Sequence, residues 1–404
     1  MALAGTGIGL GGLAAACGGD DDSSASAGTS GSGGDPDRKV KLGFIALTDC
    51  ASIVMAKELG YFAARDLDVS VEKQASWPAT RDALLNGQID GAHCLYSMPY
   101  SVATGIGGAG GTALKIAMML SNNGQGITLA SSLSDAGYLD LDAAGEAFGK
   151  QSLTFAMTYP GGTHDLWLRY WLKAAGADLD AHRIQPIPPP EMVANMKVGN
   201  MDGYSVGAPW NAVGVQQDIG FIAVNSQDIW QHHPEKALVV NEQFAGDRTD
   251  VLKDVMGAIL EASAWLDDLD NRREAAEAIG VEGYVNAPAD EIAGQLEGLF
   301  ELGNGVPDKT YTDDLMVFSR GGAVNLPRRS HAVWAMAQFQ RLGYLDEAPE
   351  YLDIADAVIL RDLYEEVAAA EGIDVPDDDM TPFDVQLDGV TFDPNDPDEE
   401  VNRP

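Results

Sequence analysis

From Val40 onward, short apolar runs alternate with amphipathic stretches, and the alternation is played out twice. In the first block, Val40–Leu47 reads as a buried strand and Ile53–Arg65 as a helix with apolar residues three and four apart. Val69–Lys73 and Ile89–His93 read as strands around a helix over 78–86, and Leu114–Leu120 as a further strand. The second block starts near Leu153 with a strand, a helix over 164–175, a strand at Arg183–Ile187, a helix at Glu191–Val198 and a strand at Gly203–Val206. It returns through Gly220–Val224. Strands joined through helices pair in parallel, so the pattern predicts mainly parallel sheets with helices on their faces. Two α/β lobes are expected, one from 39–125 plus 237–371 and one from 126–236, with the chain crossing near Gly126 and back near Lys236. From Thr249 the pattern is helical, over 249–268, 271–279, 289–302, 330–342 and 353–371. Residues 372–404, rich in Asp and Pro, read as an extended acidic tail.

Charge narrows the classes of partner. The 404 residues carry 62 Asp and Glu against 25 Lys and Arg, a balance of −37. Such a surface repels nucleic acid and anionic membranes. A small anion would have to be captured against the same field, by a site well supplied with donors. Residues 1–17 are small and apolar, and residues 18–38 form a Gly/Ser/Asp tether. The run ending at Cys17 resembles the end of a bacterial lipoprotein export signal, with Cys17 as the lipidated residue. That implies export and a lipid anchor on the outer face of the cytoplasmic membrane. Nothing else in the chain is long and apolar enough to span a bilayer. Cys50 and Cys94 fall in β–α turns and read either as a disulfide or as two buried thiols. There is no CxxC pair and no zinc-type spacing.

In open parallel sheets ligands bind beyond the carboxyl ends of the strands. The polar turns at those ends are Thr48–Cys50, Ala75–Trp77, Asn122–Gln125, Pro160–Asp165 and His232–Lys236. Ahead of Thr158–Arg169, the short apolar run Leu153–Met157 leads through Gly161 and Gly162 into a helix, with Thr163 as the expected N-cap. Such a junction offers free N–H groups and a positive helix end to an anion; it also serves as an ordinary β–α turn. Trp77 offers an indole N–H and an apolar wall, or simple packing. Gln125 lies between two glycines, His164 starts a helix, and Lys236 precedes the apolar run Ala237–Val240. Taken singly, each has a structural reading. Taken together they form a set of donors, which is what a buried anion requires. Enzyme signatures are thin: no nucleophile elbow, phosphate loop or zinc-protease helix motif occurs. Asp49 with Glu58 or Asp82 makes an acid/base pair no better than chance in so acidic a chain. No cofactor or metal is expected, and the chain does not read as an enzyme.

Gly43–Asp49, Gln74–Asp82, Asp90–His93, Asn123–Ile127, Pro160–Trp171, Pro188–Lys197 and His233–Lys236 together resemble the nitrate/bicarbonate-binding proteins of bacterial ABC importers. Arg329–His331, Trp334 and Leu342–Tyr344 extend the likeness, which covers roughly 39–346. It implies a two-lobed type II periplasmic-binding-protein-like fold with a central cleft and C-terminal helices. It also implies delivery of a small oxyanion to a permease and its ATPase. It places ligand contacts at Trp77, Gln125, His164 and Lys236, with Thr158 as a secondary contact. The pair His164 and Lys236 is that of the nitrate type, where nitrite or cyanate would also fit; bicarbonate binders carry Gln and Glu there, tied to calcium. Ala208 stands where Glu is common in the family. Alternatives on this fold are a bicarbonate, sulfonate or pyrimidine-precursor binder, or a cytoplasmic nitrate-sensing regulator. Cys17 and the tether speak against the regulator.

Overall fold

The computed structural model describes residues 38–108 and 110–403. Cys17 and the tether expected over 18–38, apart from Arg38, lie outside the described residues. Ten strands build two five-stranded sheets. The first has the order β2-β1-β3-β10-β4, from β1 (Lys39–Phe44), β2 (Asp68–Lys73), β3 (Gly91–Leu95), β4 (Leu114–Asn122) and β10 (Pro234–Asn241). The second has the order β7-β6-β8-β5-β9, from β5 (Gln125–Ala130), β6 (Thr154–Met157), β7 (Arg183–Pro186), β8 (Gly203–Gly207) and β9 (Gly220–Asn225). Every residue of β3, β8, β9 and β10 is buried, as expected for strands covered on both faces.

The sheets are mixed rather than mainly parallel. β1 pairs in parallel with β2 and β3, and β6 with β7 and β8. β10 runs antiparallel to β3 and β4, and β5 antiparallel to β8 and β9. The cause is the route of the chain. β5 and β10 each arrive from the opposite sheet, so they begin at the end where β3 and β8 finish. The crossings lie at Asn123–Gly124 and over 226–233, between β4 and β5 and between β9 and β10. Gln125 therefore belongs to the second sheet, and Lys236 to the first, each on the other side of the boundary expected from the sequence. Asn123 takes a left-handed backbone (φ 64°), and its amide donates to Asp314 Oδ1 at 2.7 Å and Leu315 O at 3.0 Å.

Helices follow the apolar periodicity closely, as at Trp77–Leu85, Thr163–Ala174, Thr249–Asp267 and Arg329–Arg341. The helix expected over 289–302 stops at Leu296, where β11 (Leu299–Phe300) turns to pair with β12 (Lys309–Thr310). The helix expected over 353–371 is two, Tyr351–Val358 and Arg361–Ala370. Its break is captured by the edge of β4: Leu360 N donates to Ile116 O at 2.9 Å. Cys50 and Cys94 are both buried free thiols. No helix among the described residues is long and apolar enough to cross a membrane.

The C-terminal segment is not an extended tail. β13 (Phe383–Val385) and β14 (Val390–Phe392) form a hairpin, and a short helix covers Pro397–Val401. Phe383 stacks flat on Trp230, with ring centroids 4.1 Å apart. Glu400, only 4% exposed, accepts from Gln338 Nε2 at 2.7 Å and Arg341 Nη1 at 3.2 Å. Tyr170 donates to Asp388 at 2.9 Å, and Arg403 donates to the Tyr170 hydroxyl at 2.6 Å. Acidic side chains here find arginine and amide partners far away in the chain, which local composition does not reveal. Removing one member of a buried charged network costs about 3–5 kcal/mol. Glu400→Ala should accordingly lower the denaturant midpoint by an amount equivalent to about 3 kcal/mol. A loss below about 1 kcal/mol, the range of a surface ion pair, would show that the segment is only loosely seated.

Candidate functional site

The carboxyl ends of the parallel strands face each other across the two lobes. β1 ends in a tight turn, Thr48–Cys50, that carries Asp49 into the space between them. β3 supplies His93. Ser76 caps the helix Trp77–Leu85 by accepting from Ala79 N at 3.3 Å, which sets Trp77 at the helix start. β10 brings Glu235 and Lys236 from the same side. From the opposite lobe come Gln125 at the head of β5, Thr158 after β6, and Thr163 and His164 in the first turn of the helix Thr163–Ala174. Gly207 closes β8 beside them. Trp77, Asp49, His93, Thr163, His164, Glu235 and Lys236 are all completely inaccessible to solvent. Hydrogen bonds hold the lobes together around them: Thr48 N donates to Ala208 O at 2.8 Å, and the Trp210 indole Nε1 to Ala46 O at 2.9 Å.

The junction at Gly161–Thr163 differs in detail from its expected form. The N-cap is Gly162, not Thr163, and Thr163 is the first helical residue. No side chain caps the helix; Asp165 braces the turn before it, accepting from Gly161 N at 2.9 Å while also holding Arg169 Nε at 2.7 Å and the Tyr344 hydroxyl at 2.6 Å. Thr163 is thereby released to face the cleft, where its hydroxyl accepts from Gln125 Nε2 at 2.7 Å. Of the two glycines, only Gly161 uses a left-handed backbone (φ +69°).

Lys236 is buried but not solitary. Its ammonium lies 2.7 Å from Asp49 Oδ2 and contacts Glu235 Oε1. The other oxygen of Glu235 meets Gln125 Nε2, and the other oxygen of Asp49 meets His93 Nε2 at 2.6 Å. The site is therefore not the set of donors alone that the sequence suggests; two carboxylates stand behind the donors. Burial pushes the Asp49 carboxyl up, but Lys236 and His93 more than offset this and hold it well below the ordinary carboxylate range. For Glu235 burial prevails over the pull of Lys236, with Asp49 adding to it, and the carboxyl is pushed up from 4.5 to about 7. Burial disfavours the charge on Lys236, yet the two carboxylates raise its pKa. Burial, reinforced by Lys236, drives His164 well below its usual value, so the imidazole is neutral. Its Nδ1 is 2.6 Å from the Thr158 hydroxyl.

Several buried polar atoms here have no protein partner: Trp77 Nε1, His164 Nε2 and Gln125 Oε1. The residues that carry them border the buried cluster of Lys236, Asp49 and Glu235. A Cβ built on Gly207 would lie 3.4 Å from His164 Nε2 and 3.6 Å from Asp49 Oδ2, and Lys236 Nζ is 5.9 Å from the centre of the Trp77 ring. Unpaired buried polar groups cost free energy, so a ligand that satisfies several at once is strongly favoured. The structure thus brings Trp77, Gln125, Thr158, His164 and Lys236 together, and adds Asp49, His93, Thr163 and Glu235, which sequence reasoning did not assign to the site. One signal was available for two of them: Glu235 is the only acid within the apolar strand 234–241, and Asp49 directly follows the apolar run of β1.

The chain matches the NMT1-like family over residues 33–280. It is 36% identical over 380 residues to the nitrate/nitrite-binding protein NrtA of Nostoc sp., covering 90% of this chain and 85% of that protein. The crystal structure of the periplasmic nitrate-binding protein NrtA from Synechocystis superposes with a TM-score of 0.86 at 34% identity, covering 90% of this chain and 98% of that one. The nitrate import ATP-binding protein NrtC of Synechocystis sp. is 33% identical over 373 residues, and this chain spans 55% of its length.

Removing the ammonium leaves two buried carboxylates facing each other. Lys236→Met should destabilise the protein by about 3–5 kcal/mol near pH 8. The sign of its pH dependence follows from linkage. Without the cation the carboxyl pKa values rise in the folded state, so the folded protein gains protons and recovers stability as pH falls. Denaturant midpoints for wild type and variant should diverge at pH 8 and approach each other at pH 5.5. An equal gap at both would rule out a charge origin.

Proposed function

The chain belongs to the NMT1-like family, and we propose that it is the nitrate-capturing component of an ABC importer, working outside the cytoplasmic membrane. The observation that supports this reading is that Trp77, Gln125, His164 and Lys236, drawn from both lobes, are buried and border one cluster of charged groups. Nitrate is planar, with three weak acceptor oxygens, and gains little from any single hydrogen bond. It needs several donors at fixed angles in a place from which water is excluded. Trp77 Nε1 and His164 Nε2 are such donors. The Thr158 hydroxyl, donating to His164 Nδ1, keeps the imidazole proton on Nε2, where it meets the anion. Lys236 supplies the positive potential, and the first turn of the helix Thr163–Ala174 adds its dipole. The ligand touches both lobes, so it favours the closed arrangement over an open one. Nitrite or cyanate would meet the same donors.

Delivery to a permease and its ATPase is the role of the periplasmic relatives' importer, in which an ATP-binding subunit is itself a relative of this chain. Anchoring through Cys17 accords with the tether that follows it in sequence. A precursor carrying Cys17→Ser should leave the membrane fraction in which the parent is found; equal distribution of the two would exclude the anchor.

Calorimetric titration with nitrate, nitrite, cyanate, and bicarbonate with calcium tests the ligand. Nitrate should bind one to one. Trp77→Phe keeps the wall and removes only the indole N–H. A hydrogen bond to a charged partner is worth about 1.5–3 kcal/mol, so affinity should fall roughly 10- to 150-fold. Tighter binding of bicarbonate with calcium than of nitrate, or a loss under threefold in Trp77→Phe, would overturn the reading.

A further inference from the structure

The charge count at the site is unusual for a place that must hold an anion. One ammonium, Lys236, stands against two carboxylates, Asp49 and Glu235, and all three are fully buried. The formal sum is −1 before any ligand arrives. A monoanion would make it −2 in a place closed to bulk solvent, where uncompensated charge is costly. The groups around Glu235 offer no second permanent cation. Within β10 it faces Lys236, and His233 Nδ1 lies 3.9 Å away. The turn after β1 contributes Asp49, backed by His93 from β3. From the other lobe it meets the Gln125 amide and, at 3.4 Å, the Thr163 hydroxyl, and the Tyr96 phenol just after β3 is near enough to feel its charge.

We propose that the site takes up its anion together with a proton, and that Glu235 carries the proton. Resting on the nitrate reading, this assignment follows from what each carboxylate touches. Asp49 is held on both oxygens, by Lys236 and by His93, so a proton there would displace a strong partner. Glu235 keeps one oxygen against Lys236 and sets the other against the Gln125 amide. Solvent or a buffer acid donates a proton to that second oxygen, which then becomes a donor. Gln125 answers by turning its amide over. Its Oε1, now without a partner, accepts from the Glu235 hydroxyl and from the Thr163 hydroxyl, whose bond from Nε2 is given up, and Nε2 swings to the anion. One proton both removes a like charge and supplies a hydrogen-bond donor to the ligand. Nitrate is the anion of a strong acid and does not carry the proton itself, so the protein must. An ordinary glutamate is ionised at neutral pH, and the burial that lifts Glu235 to about 7 makes the uptake accessible there.

The test is calorimetric titration of the full chain with nitrate from pH 6 to 8.5, in Tris and in triethanolamine, whose heats of ionisation differ. At pH 8 the difference in observed heat should report close to one proton taken up per nitrate, falling toward none at pH 6. Affinity should be level near pH 6 and fall by up to about tenfold per pH unit above 7. Glu235→Gln should still bind nitrate, with no proton uptake and a flat pH profile. Nitrate binding by the wild type with no proton uptake at pH 8 and a level profile would overturn the proposal and leave the nitrate reading standing. Proton uptake that persists in Glu235→Gln would overturn the assignment to Glu235. No nitrate heat at any pH would overturn the nitrate reading itself. The wild-type measurement stands alone if the variant fails to fold.

Discussion

An ammonium group shut off from bulk solvent must find its balance of charge within the protein, and Lys236 finds it in Asp49 and Glu235. Much of the site is arranged around that demand. Asp49 is placed by the turn that ends β1 and is held from behind by His93 on β3. Glu235 reaches across to Gln125, and Gln125 to Thr163, so the electrostatic tie begun in one lobe is completed in the other. The desolvation cost of such a cluster is large, and replacing it by apolar side chains would be no less stable. Its presence marks a place where stability has been exchanged for the ability to recognise a charged molecule.

The route of the chain explains how these residues come to share one space. In each sheet the parallel strands finish at the cleft, and the strand arriving from the other lobe starts there. Antiparallel β5 and β10 are the result, and their first residues are Gln125 and Pro234, followed at once by Glu235 and Lys236. The same geometry that crosses the chain between lobes thus delivers polar residues to the cleft from strand beginnings as well as strand ends.

The sequence was legible where the physics is local. Apolar runs located most of the strands, and periodicity located the long helices to within a residue or two at Trp77, Thr163, Thr249 and Arg329. β5 was not visible, because Gln125–Ala130 mixes glycine and polar residues in a short span that reads as a turn. Its antiparallel pairing depends on a crossing that no local window contains. Trp77, Gln125, His164 and Lys236 stood out as donors next to strand ends. Asp49 and Glu235 did not, because 62 acidic residues make any single carboxylate unremarked until its burial is known. Thr163 was read for its capping tendency, but it is the first residue of the helix, after the N-cap Gly162. The acidic C-terminal stretch failed for the opposite reason: its composition is that of a disordered segment, but Gln338, Arg341 and Tyr170 lie waiting for it elsewhere in the chain.

That last stretch bears on how far the molecule can open. The Phe383 ring lies flat on Trp230, within the second crossing between the sheets. Asp388 and Arg403 hold Tyr170 on the helix that carries His164, while Glu400 holds Gln338 and Arg341 on the helix Arg329–Arg341. A hinge wrapped in this way has a mechanical stop. Any parting of the lobes has to keep these attachments or peel the C-terminal residues from one side at the cost of their buried ionic and aromatic contacts. A part of the chain that lies outside the cleft is thus tied to both of the helices that a movement of the lobes would have to carry.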